Sequence, residues 1–171
     1  MHKKYLILFL ILVFSVPLFS QTKVGYIDSK RIMDNLQEAK DAKQRLDLIV
    51  GEWQAQLKVL QDSLTLMKED FEKKKLILTE QLKQKYDKEI SDLDNSISNF
   101  KIQKFGENGE YTQKQTEFMK PVLDRIFKAI ETVAKEGDYD YVFDRNSDIF
   151  LLYVNEKHDL TVKVQRILEG K

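Results

Sequence analysis

The chain has no cysteine, two prolines, six glycines and two histidines in 171 residues. Without cysteine there are no disulfides and no thiolate metal sites, which suits a compartment that would oxidise stray thiols. His2 lies in a leader-like start, which leaves His158 as the one histidine beyond it, in a turn. A zinc centre or a Ser-His-Asp triad needs more than that, and no G-x-S-x-G context accompanies it. The six glycines make neither a Walker loop nor a G-x-G-x-x-G turn, so nothing points to nucleotide hydrolysis. The expectation is a protein that is not an enzyme, with no cofactor, metal or catalytic residue. An excess of one charge is missing too: 28 Lys and Arg face 28 Asp and Glu. Removing Lys3 and Lys4 with the leader tips the balance slightly acidic, which argues against nucleic acid as a partner.

What is present is apolar residues in register. The chain is 42% hydrophobic and 33% charged, a mostly helical and extended composition rather than a disordered one. Ala39, Ala42, Leu46, Val50, Trp53, Leu57, Leu60, Leu64, Met67 and Phe71 recur in steps of three and four, a heptad seam. So narrow a stripe stays wet without a partner helix. Phase is lost over residues 73–79, where Thr79 can cap a new helix. A second seam then runs through Leu82, Tyr86, Ile90, Leu93, Ile97 and Phe100. Two such seams in succession predict an antiparallel helical hairpin. The rival is one continuous helix that pairs with other chains.

The flanking segments differ in kind. His2, Lys3 and Lys4, an apolar run over 5–14 and Pro17 before Ser20-Gln21 predict a signal peptide over residues 1–20 and export. An uncleaved anchor is the alternative, although the run is short for a span of roughly 20 residues. Residues 23–28 have strand character, with Asp28 or Ser29 as a cap. Gly106 and Gly109 mark a break in the second arm. After it, Phe118, Met119, Val122, Leu123, Ile126, Phe127, Ile130 and Val133 give a helix with a broad apolar face, with Pro121 placed near its start. Residues 139–144 and 149–154 read as strands around a turn at 145–148. Asp159 or Thr161 can cap a last helix carrying Leu160, Val164, Ile167 and Leu168.

The expected plan is therefore a signal peptide (1–20), a body from both ends of the chain (21–40 plus 119–171) and a hairpin arm (41–118) with its tip near 74–79. The fold class is α+β, mostly α. The body's strands take in Val24, Tyr26, Ile27, Tyr141, Val142, Phe143, Ile149, Leu151, Leu152 and Val154. A body of roughly 70 residues is marginal as a single core, and strand 149–154 is too apolar for two short neighbours to cover. Self-association through the strands follows. On the arm, Leu48 and Ala55 fall at heptad position f, and Val59 and Leu66 at c. Leu48, Val59 and Leu66, with Ile77 at the tip, are the candidates for weak, unselective partner contact. Lys73, Lys74 and Lys75 leave room for a weak contact with a membrane surface, though three charges fall short of a usual lipid-binding cluster.

Several stretches together carry a family resemblance: Lys23 to Asp28, the coiled arms, Phe105-Gly106-Glu107-Asn108-Gly109-Glu110, Lys120-Pro121-Val122, Ala129 to Ala134, Tyr139 to Asp144 and Asp159-Leu160-Thr161. They resemble the Skp/OmpH family of periplasmic chaperones, over essentially the whole chain after the leader. The resemblance implies a jellyfish-like homotrimer with a strand-rich trimerisation body and three hairpin arms around a cavity. It implies an ATP-independent holdase in the periplasm that keeps unfolded outer-membrane β-barrel proteins from aggregating. This chain departs from the strongly basic members in its balanced charge, so apolar contact must supply more of the holding energy. The alternative is a coiled-coil structural or adaptor protein of the cell envelope, docking a fixed partner through Leu76-Ile77-Leu78.

Overall fold

The computed structural model describes residues 22–149 and 151–170; the segment read as a signal peptide lies outside them. Strand β1 (Val24–Ile27) ends at Asp28, whose carboxylate accepts the Arg31 N–H at 2.9 Å and so caps helix α1 (Ser29–Asn35). Leu36 separates α1 from α2 (Gln37–Lys74) and supplies no side-chain cap, packing instead against the core.

Helix α2 has 38 residues, a length of about 57 Å at 1.5 Å per residue. Along the predicted seam Ala39, Ala42, Leu46, Trp53 and Leu64 are buried, and Val50, Leu57, Leu60, Met67 and Phe71 are half-buried. Thr79 accepts the Leu82 N–H at 3.4 Å and opens α3 (Glu80–Phe105). Near the tip the Phe71 and Tyr86 rings stack at 5.5 Å; farther down, Trp53 meets Phe105 at 5.8 Å. One helix climbs as the other descends, which makes an antiparallel hairpin.

Helix α4 (Glu110–Glu136) follows the glycine break and covers the lower part of α2. Its length corrects one expectation. Pro121 stands in the interior of α4 rather than near its start, because 110–117 continue the helix with few apolar residues to announce it. The ladder forfeits one N–H there. At the far end Gly137 caps the helix, but the left-handed residue is Asp138, with φ 51°.

Strand β2 (Tyr141–Asp144) lies parallel to β1, with Val24 opposite Tyr141 and Ile27 opposite Asp144. The other edge of β1 receives a bridge between Tyr26 and Asp159, and Leu160 N–H donates to the Tyr26 carbonyl at 2.8 Å. Both edges of β1 are thus used within the chain. The expected strand at 149–154 is the second correction: among the described residues, Ile149, Leu151, Leu152 and Val154 pair with no strand. A short 3-10 turn (Glu156–His158) then leads to α5 (Thr161–Leu168).

The core joins the two ends of the chain. Ile27, Ile32, Ala39 and Ala42 meet Val122, Ile126, Ala129 and Val133 of α4 and Leu160, Val164 and Leu168 at α5. Gly25 is required by close approach, since a Cβ there would lie 2.6 Å from Leu160 Cδ1. Fully buried Thr161 accepts the Asp28 N–H at 2.9 Å, fixing the end of β1 to the start of α5.

Candidate functional site: exposed apolar residues on arm and body

On a helix turning about 100° per residue, steps of 11 and 7 return to within roughly 20° of one line. Leu48, Val59 and Leu66 therefore stand in single file along α2, although the heptad frame had divided them between two positions. They are 63%, 65% and 66% exposed. The file spans about 27 Å at the helical rise. The Lys58–Asp62 ion pair, at 2.9 Å, lies between Leu48 and Leu66 and keeps the file from becoming a continuous patch. Ile77 does not join it. It belongs to the tip, where Leu76 and Ile77 are nearly free of contact.

The tip is tied by polar contacts. Tyr86 Oη donates to Asp70 Oδ2 at 2.9 Å across the hairpin, and Lys74 pairs with Asp70 at 2.7 Å. Hydrogen bonds from Lys74 and then Tyr86 hold the Asp70 carboxyl below its ordinary range. Lys75 pairs with Glu72, so two of the three tip lysines already have acidic partners. That weakens any case for a strong anionic surface as the tip's target.

Ile102 on α3, at 68% exposed, is a further exposed apolar residue that pattern reading passed over. Continuing the second seam beyond Phe100 places Lys104 inward and Ile102 outward, so the signal was there. Leu76 and Phe127 are further large apolar residues left in solvent.

The body has an apolar surface of its own. Tyr26 and Ile27 are buried, Val142, Phe143, Leu151 and Val154 half-buried, and Val24, Tyr141, Ile149 and Leu152 exposed. Leu152 stands 96% exposed beside Tyr153. The Tyr141 and Phe143 rings stack at 6.4 Å. Between β1 and the 151–158 segment lies an open cavity of about 680 Å³, lined among others by Val24, Phe143, Leu151, Tyr153 and His158. Among the described residues no group of His, Cys, Asp and Glu could hold a metal, and no helix is long and apolar enough to cross a membrane.

A polar knot closes the strand ends. Asn146 Nδ2 donates to Asp28 Oδ1 at 2.8 Å, and Asp144 Oδ1 accepts the N–H of Ser29 at 3.2 Å and of Asn146 at 3.0 Å. Asp28 is held below its ordinary range by the Arg31 N–H first and Asn146 next. For Asp144 burial pushes the other way, and the bonds from Ser29 and Asn146 together outweigh it.

Three comparisons bear on this geometry. The family described as Outer membrane protein (OmpH-like) matches residues 23–168. No curated protein matches the chain. Among solved structures, an OmpH-like protein from Caulobacter crescentus CB15, described as a candidate outer membrane chaperone, superposes with a TM-score of 0.71 at 16% identity, covering 88% of this chain and 86% of its own.

Proposed function

Because the chain belongs to the OmpH-like family, we propose that it is an ATP-independent holdase that shields unfolded outer-membrane β-barrel proteins from aggregation. It acts in the periplasm after export by its signal peptide, as a homotrimer assembled through the bodies, with the arms enclosing a cavity. It performs no chemistry on its clients and takes no cofactor. The body is 21–40 with 119–171, and the arm 41–118.

The observation that carries this reading is the file of Leu48, Val59 and Leu66, exposed in solvent and separated by charged residues. Covering one such side chain gains on the order of 1 kcal/mol at ~25 cal/mol per Å² of apolar area. A single contact is too weak to trap a client. Several files around one cavity, with Ile77 at the tips, hold it through multiplicity. Each contact still breaks readily, so release needs no ATP. Assembly is supported by the apolar body surface, above all Leu152, Tyr153 and Tyr141. A weak membrane contact at the tip is a lesser element of the proposal, resting on Leu76 and Ile77 rather than on the paired lysines.

The test is aggregation of a urea-unfolded β-barrel protein on dilution, followed by light scattering. Suppression at stoichiometric trimer is expected, and none at all would sink the proposal. The near-complete exposure of Leu76 and Ile77 also favours an envelope adaptor docked at its tip. If Ile77→Asp abolishes capture of one fixed partner while client holding is intact, the adaptor reading takes precedence.

A further inference from the structure

The joint between α3 and α4 is tied by several side chains at once. Trp53 of α2 is buried there, with the Phe105 ring edge-on to it at 5.8 Å. Lys104 Nζ lies 5.0 Å from the Trp53 ring centre and 5.8 Å from that of Phe100. It also reaches across the break to Glu110 Oε1 at 2.6 Å, where Gln103 Nε2 donates at 3.0 Å. With side chains 16% and 33% exposed, Lys104–Glu110 is the least exposed ion pair among the described residues.

The backbone beneath is glycine by necessity. A Cβ on Gly106 would lie 2.4 Å from the Ile102 carbonyl oxygen, and one on Gly109 2.9 Å from the oxygen of Gln103. The helical ladder stops at Phe105 and restarts at Glu110. At nearly the same level α2 carries its own glycine, Gly51, two residues before Trp53 and with nothing within 4 Å of its Cβ position. Both rods of the hairpin are therefore weakest at the same level, and the Trp53–Lys104–Glu110 cluster sits on that level.

We propose that this cluster is a latch on a double hinge. With Lys104 bridging Trp53 and Glu110, the distal arm and the body-proximal arm move as one rod. With the bridge removed, the arm bends at residues 106–109 and at Gly51. The latch depends on the arm's own geometry, so it can be present or absent whatever the client.

The chain suits a direct test, because Trp53 is its only tryptophan and it has no cysteine. Spin labels are placed through Lys68→Cys near the tip and Lys128→Cys on α4, in full-length mature chain diluted with unlabelled protein. Intrachain distance distributions are then compared for the parent, Lys104→Met and the isosteric Glu110→Gln. A distribution about twofold broader in both variants, with Trp53 emission shifted to the red, is expected. Adding Gly51→Ala should narrow it again. Distributions as narrow as the parent's in both variants, with helical content unchanged, would overturn the latch. Failure of Gly51→Ala to narrow them would remove Gly51 from the hinge.

Discussion

Leu160 is the side chain whose loss should show most clearly that the two ends of the chain share one core. It is 1% exposed, and it lies against Gly25 so closely that a Cβ there would sit 2.6 Å from its Cδ1. Its neighbour on that side is strand backbone, held by the β1–β2 ladder and by the Leu160 N–H bond to Tyr26. Backbone so fixed cannot collapse into the space a leucine leaves. Leu160→Ala should therefore cost at least as much as the middle of the range for buried leucine deletions, about 3–4 kcal/mol. At about 2–4 °C per kcal/mol for a chain of this size, the melting midpoint drops by roughly 10 °C. Leu66→Ala is the matched control: the same atoms are deleted from an exposed helix face, so stability changes by less than about 0.5 kcal/mol. Far-UV circular dichroism on heating and in urea, at one fixed protein concentration, measures both. If the two variants lost equal stability, the division between a packed body and a solvated arm would be refuted.

Leu48→Ser, Val59→Ser and Leu66→Ser combined should weaken suppression of β-barrel aggregation several-fold while moving the melting midpoint by no more than about 3 °C; full suppression by the triple variant would clear the file of a client role. Leu152→Asp should reduce the native mass in solution, read by light scattering, because it puts a charge at the most exposed point of the body's apolar surface; an unchanged mass excludes that surface from assembly. Asp28 and Asp144 have folded pKa values below the ordinary 3.8, so the folded state binds fewer protons than the unfolded one. Their contribution is fully present above 3.8 and is lost as pH falls through the folded values, and urea midpoints measured from pH 7 to pH 2.5 should show a shallower acid loss in Asp144→Asn than in the parent.

The helical hairpin was legible residue by residue. A helix is closed by bonds between residues four apart, and a seam by side chains three and four apart, so Leu46, Trp53, Leu64 and Ile97 announced their burial through spacing alone. Caps are equally local, which is why Asp28 and Thr79 open the helices that follow them. Pro121 was misplaced because the polar first turns of α4 bury little, and helix without a dense apolar face leaves a faint trace in composition. The apolar file on α2 was half legible: its residues stood out, but a heptad frame split a line that a 3.6-residue helix keeps together.

The sheet belongs to tertiary structure. A strand exists only when another backbone offers its edge. No local pattern says that β1 and β2, more than a hundred residues apart, run parallel, or that Asp159 takes the second edge of β1. Residues 149–154 have the composition of a strand, yet among the described residues Ile149, Leu151, Leu152 and Val154 join neither strand of the sheet. The elbow has the same logic. Gly106 and Gly109 foretold a break, but that Trp53, Lys104 and Glu110 converge on it, near the level of Gly51, depended on how one long helix packs against two shorter ones. Sequence determined the elements whose bonds close within a few residues, and the fold decided those whose partners lie across the chain.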